Sequence, residues 1–343
     1  MSTLLKPKTL AIIIGTIALV VIAILFFRVP LPTILLPGEA IPGWKIGSFQ
    51  ITNTFVATII ADIIVLALSF LAVRKMQEVP ESKLQNIFEW VYEIFEGMLM
   101  DIGGKEKAKA WVGVFLTLLL FLLFANWMEL VPGIDSIGVI EPLEVAYAEK
   151  GVTVGYNIKH IGPFITLTSE QVKLTDEERA SIVEEAEKAE AAGHEYHPEN
   201  PKGYVLTPYV RAATTDLNLT IGLALLVIIW SQIVGFRRLG FKYIRRFAMP
   251  HITGMKPVDI IVGLLEFISE FAKIISLSFR LFGNIFAGQV LLFVMAFLVS
   301  FLLPLPFFGL ELFAGFMQAF VFAILTFIYF EQATHSHAGD EHH

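Results

Sequence analysis

Apolar residues come in blocks along this chain, divided by short polar or proline-rich intervals, and the block lengths sort the elements. A run from about Leu10 to Phe27 leads into the connector RVPLPTILLPGEAIPGW, whose prolines and glycines exclude a regular helix. Further runs cover about 54–73, 111–131 and 217–235. Each is close to the ~20 residues that a bilayer-crossing helix needs. Residues from about 82 to 100 mix Leu, Ile, Phe, Trp and Val with Glu and Asn at helical spacing. This segment is too polar to span and predicts an amphipathic helix lying in the interface. Apolar sequence then continues almost unbroken from about 257 to 303, before a turn at Pro304 and Pro306 and a final helix over about 310–330.

Length makes the 257–303 stretch unusual. One helix of that size is roughly 70 Å long at ~1.5 Å per residue, against a hydrocarbon core of about 30 Å. Ordinary tilts of about 20° do not absorb the difference. A reversal near SLSF or FGN is one solution. No proline interrupts the stretch, so the pattern favours a single oblique helix, paired as a hairpin with the one after Pro306.

Composition agrees with this reading. Hydrophobic residues make up 55% of the 343 and charged residues only 17%, where a soluble domain carries about a quarter charged. Backbone groups in lipid must be satisfied within their own segment, so the runs are helices. The fold class predicted is all-α: a polytopic membrane protein with about six spans, a long oblique C-terminal hairpin and one interfacial helix. The segments are 1–52 (extra N-terminal helix and connector), 53–132 (second span, interfacial helix, third span) and 133–213 (an acidic extracytoplasmic loop). They continue with 214–256 (fourth span and basic loop), 257–331 (the hairpin) and 332–343 (a His-rich tail). Lys6 and Lys8 ahead of the first run also fit a signal peptide; its length and the lack of a small-residue cleavage site before Arg28 favour a retained helix.

Charge placement sets orientation. The net charge of −7 gathers in the polar stretch 133–208, which holds the Glu-rich helical sequence DEERASIVEEAEKAEAAG. Basic clusters at Arg74-Lys75, Lys105 to Lys109 and Arg237 to Arg246 belong on the cytoplasmic side. Alternation then puts the acidic loop outside and both termini inside. Such short clusters do not suggest nucleic-acid binding. The absence of cysteine excludes disulfides and thiolate metal sites. The tail HSHAGDEHH has metal-binding composition but reads as an incidental terminus, so no metal or cofactor is expected. No H-E-x-x-H, G-x-S-x-G or Walker sequence occurs.

Arg280 is the residue that most needs explaining. It sits in IISLSFRLFGNIFAGQVLLF, and an arginine at a bilayer centre costs between about 2.5 and 17 kcal/mol depending on how it is measured. Guanidinium does not deprotonate in proteins, so Arg280 is a fixed charge, fit to pair with a carboxylate or to block a cation path. Ser276, Arg280, Asn284 and Gly288 recur every fourth residue, with Gly283 and Ala287 beside them, a small-residue face that lets a second helix approach closely. The alternative is a structural Arg paired within the bundle. Glu266, Glu270, Lys273 and Arg280 share a helical face, which suggests a wet pathway or an interfacial stretch of snorkelling side chains. Glu311, Gly315 and Gln318 share another, fit for an aqueous half-channel or a satisfied structural pair. Asn126 and Glu129 close the third span while Asp216 and Asn218 open the fourth. Those four can form the outer mouth of a path, or Asp216 can be a helix cap. Asp62 within the second span is a weaker candidate of the same kind.

SLSFRLFGNIFAGQ, the later MQAFVFAILTFIYF, NWMELVPG and TTDLNLTIGLALL together closely resemble subunit a of the F-type ATP synthase membrane sector, from the second span to the last. The resemblance implies a non-catalytic, proton-translocating stator subunit in a bacterial inner membrane, with the c-ring and the peripheral-stalk b subunits as partners. In that reading two offset half-channels serve the ring, and Arg280 faces its carboxylates and blocks leakage. Asn284 and Gln318 match the family's polar positions beside the Arg, and Glu266 an upstream carboxylate. Glu311 stands where some members have His, and Gln289 where some have Glu. The first helix and the acidic loop look like additions. Sodium in place of the proton, a secondary transporter (whose internal repeat is not found) and a purely structural subunit are the competing readings.

Overall fold

The computed structural model describes residues 15, 38–47, 49–74, 76–77, 82–162, 164–194, 196–248, 256–298 and 304–334. The expected first span and the His-rich tail lie outside the described residues. The connector carries a hairpin of β1 (Ala40–Ile46) and β2 (Phe49–Thr52), followed by α1 (Asn53–Val73) and α2 (Lys83–Trp127). Next come β3 (Gly138–Pro142), α3 (Leu143–Lys150), β4 (Val154–Ile161), β5 (Phe164–Lys173), α4 (Asp176–Ala191) and β6 (Tyr204–Pro208). The chain continues through α5 (Leu217–Leu239), α6 (Phe241–Ala248), α7 (Lys256–Leu298) and α8 (Pro304–Thr334). Helices α1, α2, α5, α7 and α8 are long and apolar enough to cross a membrane, five among the described residues. The protein is a multi-pass, predominantly helical membrane protein.

Two compact units divide the chain. The first comprises Met1–Val56, Val131–Arg211 and Ala287–Glu311. Its main feature is one that the sequence pattern did not reveal. The acidic stretch, expected as a loop around one helix, forms an antiparallel sheet in the order β3-β6-β4-β5. The runs YNIKHI and FITLTSEQVK, on either side of Gly162 at φ 61°, are rich in β-branched and aromatic residues and supply the β4–β5 hairpin. Beneath the sheet Leu143, Ala146, Val152, Leu174 and Ile182 form a buried core, with Tyr147, Val172, Tyr196 and Val205 packed on it. The Glu-rich helix is α4. Its start is fixed by a capping box in which Thr175 Oγ accepts from the Glu178 amide and Glu178 accepts from the Thr175 amide, a device worth about 1 kcal/mol.

The second unit comprises Ala57–Leu130, Ala212–Phe286 and Leu312–His343. Its helices bury narrow stripes of small or apolar residues, such as Ala57, Ala61, Val65 and Ala72 of α1, and leave Ile63, Leu66 and Phe70 exposed. That pattern suits helices solvated by lipid, where the outward face is as apolar as the inward one. The interfacial helix and third span, expected separately, follow one another in α2 across a kink at the non-helical Gly104 (φ 79°, ψ 166°). Only glycine enters this region of backbone space without strain. Just before it, Gly103 makes room for Phe327, whose Cζ would lie 2.8 Å from an added Cβ.

Helix α7 runs through 43 residues as one element, about 65 Å at ~1.5 Å per residue, so the reversal considered for the Arg280 segment does not occur. Helix α8 starts at Pro304, earlier than the expected turn would allow. Proline is accommodated in a first turn because its missing N–H has no helical acceptor there.

A Gly104→Val substitution tests the kink. Strain of this kind costs on the order of 1–3 kcal/mol, so the variant should show a lower thermal unfolding midpoint in detergent, whereas Gly113→Ala, which meets open space, should not.

Candidate functional site

On α7 the Arg280 guanidinium is exposed and donates from Nη2 to Ser276 Oγ at 3.2 Å, one turn back. No carboxylate among the described residues pairs with it. Asn284 and Gln318 are half-buried. Arg280 therefore has a positive charge on an outward face without an acidic partner among the described residues.

Upstream on the same helix the second unit holds a connected polar cluster. Buried Glu270 accepts from Lys273 Nζ at 2.8 Å on one oxygen and from Gln232 Nε2 at 3.0 Å on the other. Gln232 in turn accepts from the Tyr243 hydroxyl at 2.7 Å. The Lys273 ammonium also lies 5.2 Å from the centre of the Tyr329 ring, within cation–π range. Glu270 and Lys273 were legible from spacing. Gln232, Tyr243 and Tyr329 come from three other helices, and no periodicity links them. Glu266, on the same face of α7, is half-buried and Asp62 of α1 is exposed.

Where the third span ends, Asn126 is satisfied on both sides. It donates to the Gly315 carbonyl at 3.0 Å and accepts from Thr214 Oγ at 2.7 Å, while Trp127 Nε1 donates to the Leu312 carbonyl at 2.9 Å. Gly315 allows the approach, since a Cβ there would meet Asn126 Cβ at 3.2 Å. Glu129 is buried and Asn218 exposed. Asp216 is the N-cap of α5, accepting from the Asn218 amide at 2.9 Å, the capping alternative raised by the sequence.

The first unit contains the remaining candidates. The carboxyl of buried Glu311 sits directly against Gly288, in space that any Cβ would occupy. Gln289 is buried and accepts at 3.2 Å from Arg211 Nη2. Arg211, itself only 6% exposed, also reaches Glu39 at 3.4 Å. Sequence reading passed over Arg211 and Glu39, because they lie in a loop and a connector without a pattern. Burial raises the Glu39 carboxyl above the usual range, opposed by Lys150 and Arg211. Burial likewise lifts Asp135 to about 6, with Arg211 pulling it down and Glu39 pushing it up. No group of three or more His, Asp or Glu among the described residues is placed to hold a metal.

A fixed cation and networks of ionisable groups on membrane-crossing helices fit a protein that moves ions. The ATP synthase A chain family matches residues 55–331. ATP synthase subunit a of Gloeobacter violaceus (strain ATCC 29082 / PCC 7421) is 27% identical over 301 residues, 88% of this chain and 90% of that protein. The chain belongs to the ATP synthase A chain family, and is an ion-translocating subunit of the synthase membrane sector.

The Gly288–Glu311 contact carries a prediction. Gly288→Val must displace the Glu311 carboxyl, and misplacement of a working group by about 1 Å can cost about a hundredfold in rate. ATP synthesis by membranes carrying Gly288→Val should fall by at least about tenfold, while Gly113→Ala, which meets no neighbour, should retain it.

Proposed function

We propose that this chain is the non-catalytic stator subunit that carries protons between the two sides of a bacterial inner membrane and the rotating c-ring, held against the ring by the peripheral-stalk b subunits. The observation that supports this most is the exposed Arg280, which has no carboxylate partner among the described residues. A fixed positive charge in a low-dielectric setting needs an opposing charge nearby. A ring carboxylate brought past it supplies that charge and takes it away again as the ring turns. Approaching Arg280 favours the ionised form of such a carboxylate, so its proton is released. Because guanidinium does not itself lose a proton, the same charge blocks direct leakage.

The remaining residues divide by side. Glu266, Glu270 and Lys273, with Gln232, Tyr243 and Tyr329, form the cytoplasmic half-path, beside the basic end of α5 at Arg237 and Arg238. Asn284 and Gln318 serve the route beyond Arg280 in the second unit, and Gln289 and Glu311 serve it in the first. Glu129 and Asn218 stand at its outer mouth, where Asn126 and Asp216 hold the helix ends in place. Both termini face the cytoplasm and the acidic sheet faces out. A proton suits these groups; in a sodium version the selecting carboxylate would sit on the ring.

The test is Arg280→Ala in the assembled synthase in membrane vesicles. Loss of ATP-driven proton pumping together with raised passive proton conductance is the expected result, and intact coupled pumping would overturn the proposal. Rates that do not change as sodium is removed support the proton, and an absolute sodium requirement assigns the other ion.

A further inference from the structure

The first unit holds a cavity of about 360 Å³ with acidic and basic groups round its wall. The sheet forms one side: Glu141 of β3, Lys150 at the end of α3, Tyr156 of β4 and Thr207 of β6. Glu39, Asp135 and Arg211 stand on the connecting segments, and Gln289, Phe293 and Ala296 come from α7. A single space thus touches both the extramembrane sheet and the helix that carries Arg280.

Its walls are wired. Lys150 and Thr207 both hydrogen-bond to Glu141 Oε1, and Lys150 also donates to Thr207 at 2.9 Å. Arg211 joins Glu39 to Gln289. Two oxygens are left over. Glu141 Oε2, on a residue only 4% exposed, and Asp135 Oδ1 are buried with no hydrogen-bond partner among the described residues. Buried carboxylate oxygens are rarely left unsatisfied, and a cavity of this size with charged groups in its wall has room for several waters to meet them. An apolar core would serve stability alone at least as well as these charges, since a buried ion pair often does no better than packed apolar residues.

We propose that the extramembrane sheet frames an antechamber to the ion path, and that this cavity is its hydrated space, in which Asp135, Glu141 and Glu39 receive the incoming proton before it reaches Gln289. This rests on the proton-carrying stator reading above. Bulk water delivers a proton to a carboxylate oxygen, and the carboxylate returns it to cavity water on the α7 side. Arg211 and Lys150 set positive charge beside the carboxylates, which keeps those carboxylates from retaining the proton and repels other cations. Thr207 and Tyr156 supply hydroxyls to the wall. The acidic insertion is therefore a collecting surface, with α4 adding negative charge that attracts cations.

The chain has no cysteine of its own, so a single introduced one is a unique handle on it. Ser136→Cys places a thiol on the cavity wall, and Thr166→Cys places one on the exposed β5 strand away from it. Each assembled synthase is treated from the outside with a cationic thiol reagent. ATP synthesis is measured before and after, and the extent of reaction is read by mass. Modification of the Ser136→Cys variant should lower the rate about tenfold, and modification of the Thr166→Cys variant should not. Full modification of the Ser136→Cys thiol with an unchanged rate overturns the antechamber. Asp135→Asn gives a second reading. Transport should lose an inflection near pH 6 on the outer side, and an inflection that persists in the variant overturns the assignment of Asp135. If Arg280→Ala still pumps, the stator reading itself has failed; if Arg280 is essential but the blocked cavity still conducts, only the antechamber has.

Discussion

A guanidinium on a membrane-crossing helix is a charge that cannot be titrated away, and it must be balanced by something. Glu270 shows the local solution. Its two oxygens take up Lys273 and Gln232 within hydrogen-bond distance, so that cation and anion settle each other inside the chain. Arg280 is different. Its bond to Ser276 is to a neutral hydroxyl, and neutral partners compensate charge far less than a carboxylate does. The architecture around it follows from this difference. The 43-residue helix holds the guanidinium on an outward face of small and half-polar residues, and in the proposed stator role a passing ring would bring the missing charge and remove it.

Close approach is the second constraint, met repeatedly by removing side chains. Gly315 admits Asn126 and Trp127, Gly103 admits the Phe327 ring, and Gly288 leaves the space that the Glu311 carboxyl fills. Helices in lipid gain little from burying apolar surface against each other, so contact area and hydrogen bonds at small residues carry the packing. Lys107 and Glu331, paired at 2.8 Å with side chains 16% and 17% exposed, add a charged tie within the second unit.

Much of this was legible in residue order because lipid imposes a strong signal. The five described spans, the single unbroken helix around Arg280 and the family all follow from apolar run lengths and from RLFGN with its C-terminal counterpart. The sheet was not legible as such. Its strands β3 and β6 have only 5 residues each, its residues are mixed, and the dominant local cue, the acidic run of α4, points to a helix. Partners across helices were equally hidden: Gln232 and Tyr243 lie 38 and 27 residues before Glu270, and nothing in their spacing ties them to it. Arg211 and Glu39 are 172 positions apart and meet only because the β1–β2 hairpin and the loop after β6 return to the same cavity.

The most direct measurement is of contact between the Arg280 face and the ring. Two single-cysteine variants are compared: Ser276→Cys, on the face of Arg280, and Leu277→Cys, at a position only 2% exposed. Each is paired with one cysteine beside the ring carboxylate in the assembled synthase and oxidised. Ring contact through the Arg280 face predicts a disulfide in the Ser276→Cys variant that stops ATP synthesis and is reversed by reductant, with none in the Leu277→Cys variant. A ring disulfide in the Leu277→Cys variant with none in the Ser276→Cys variant would contradict it.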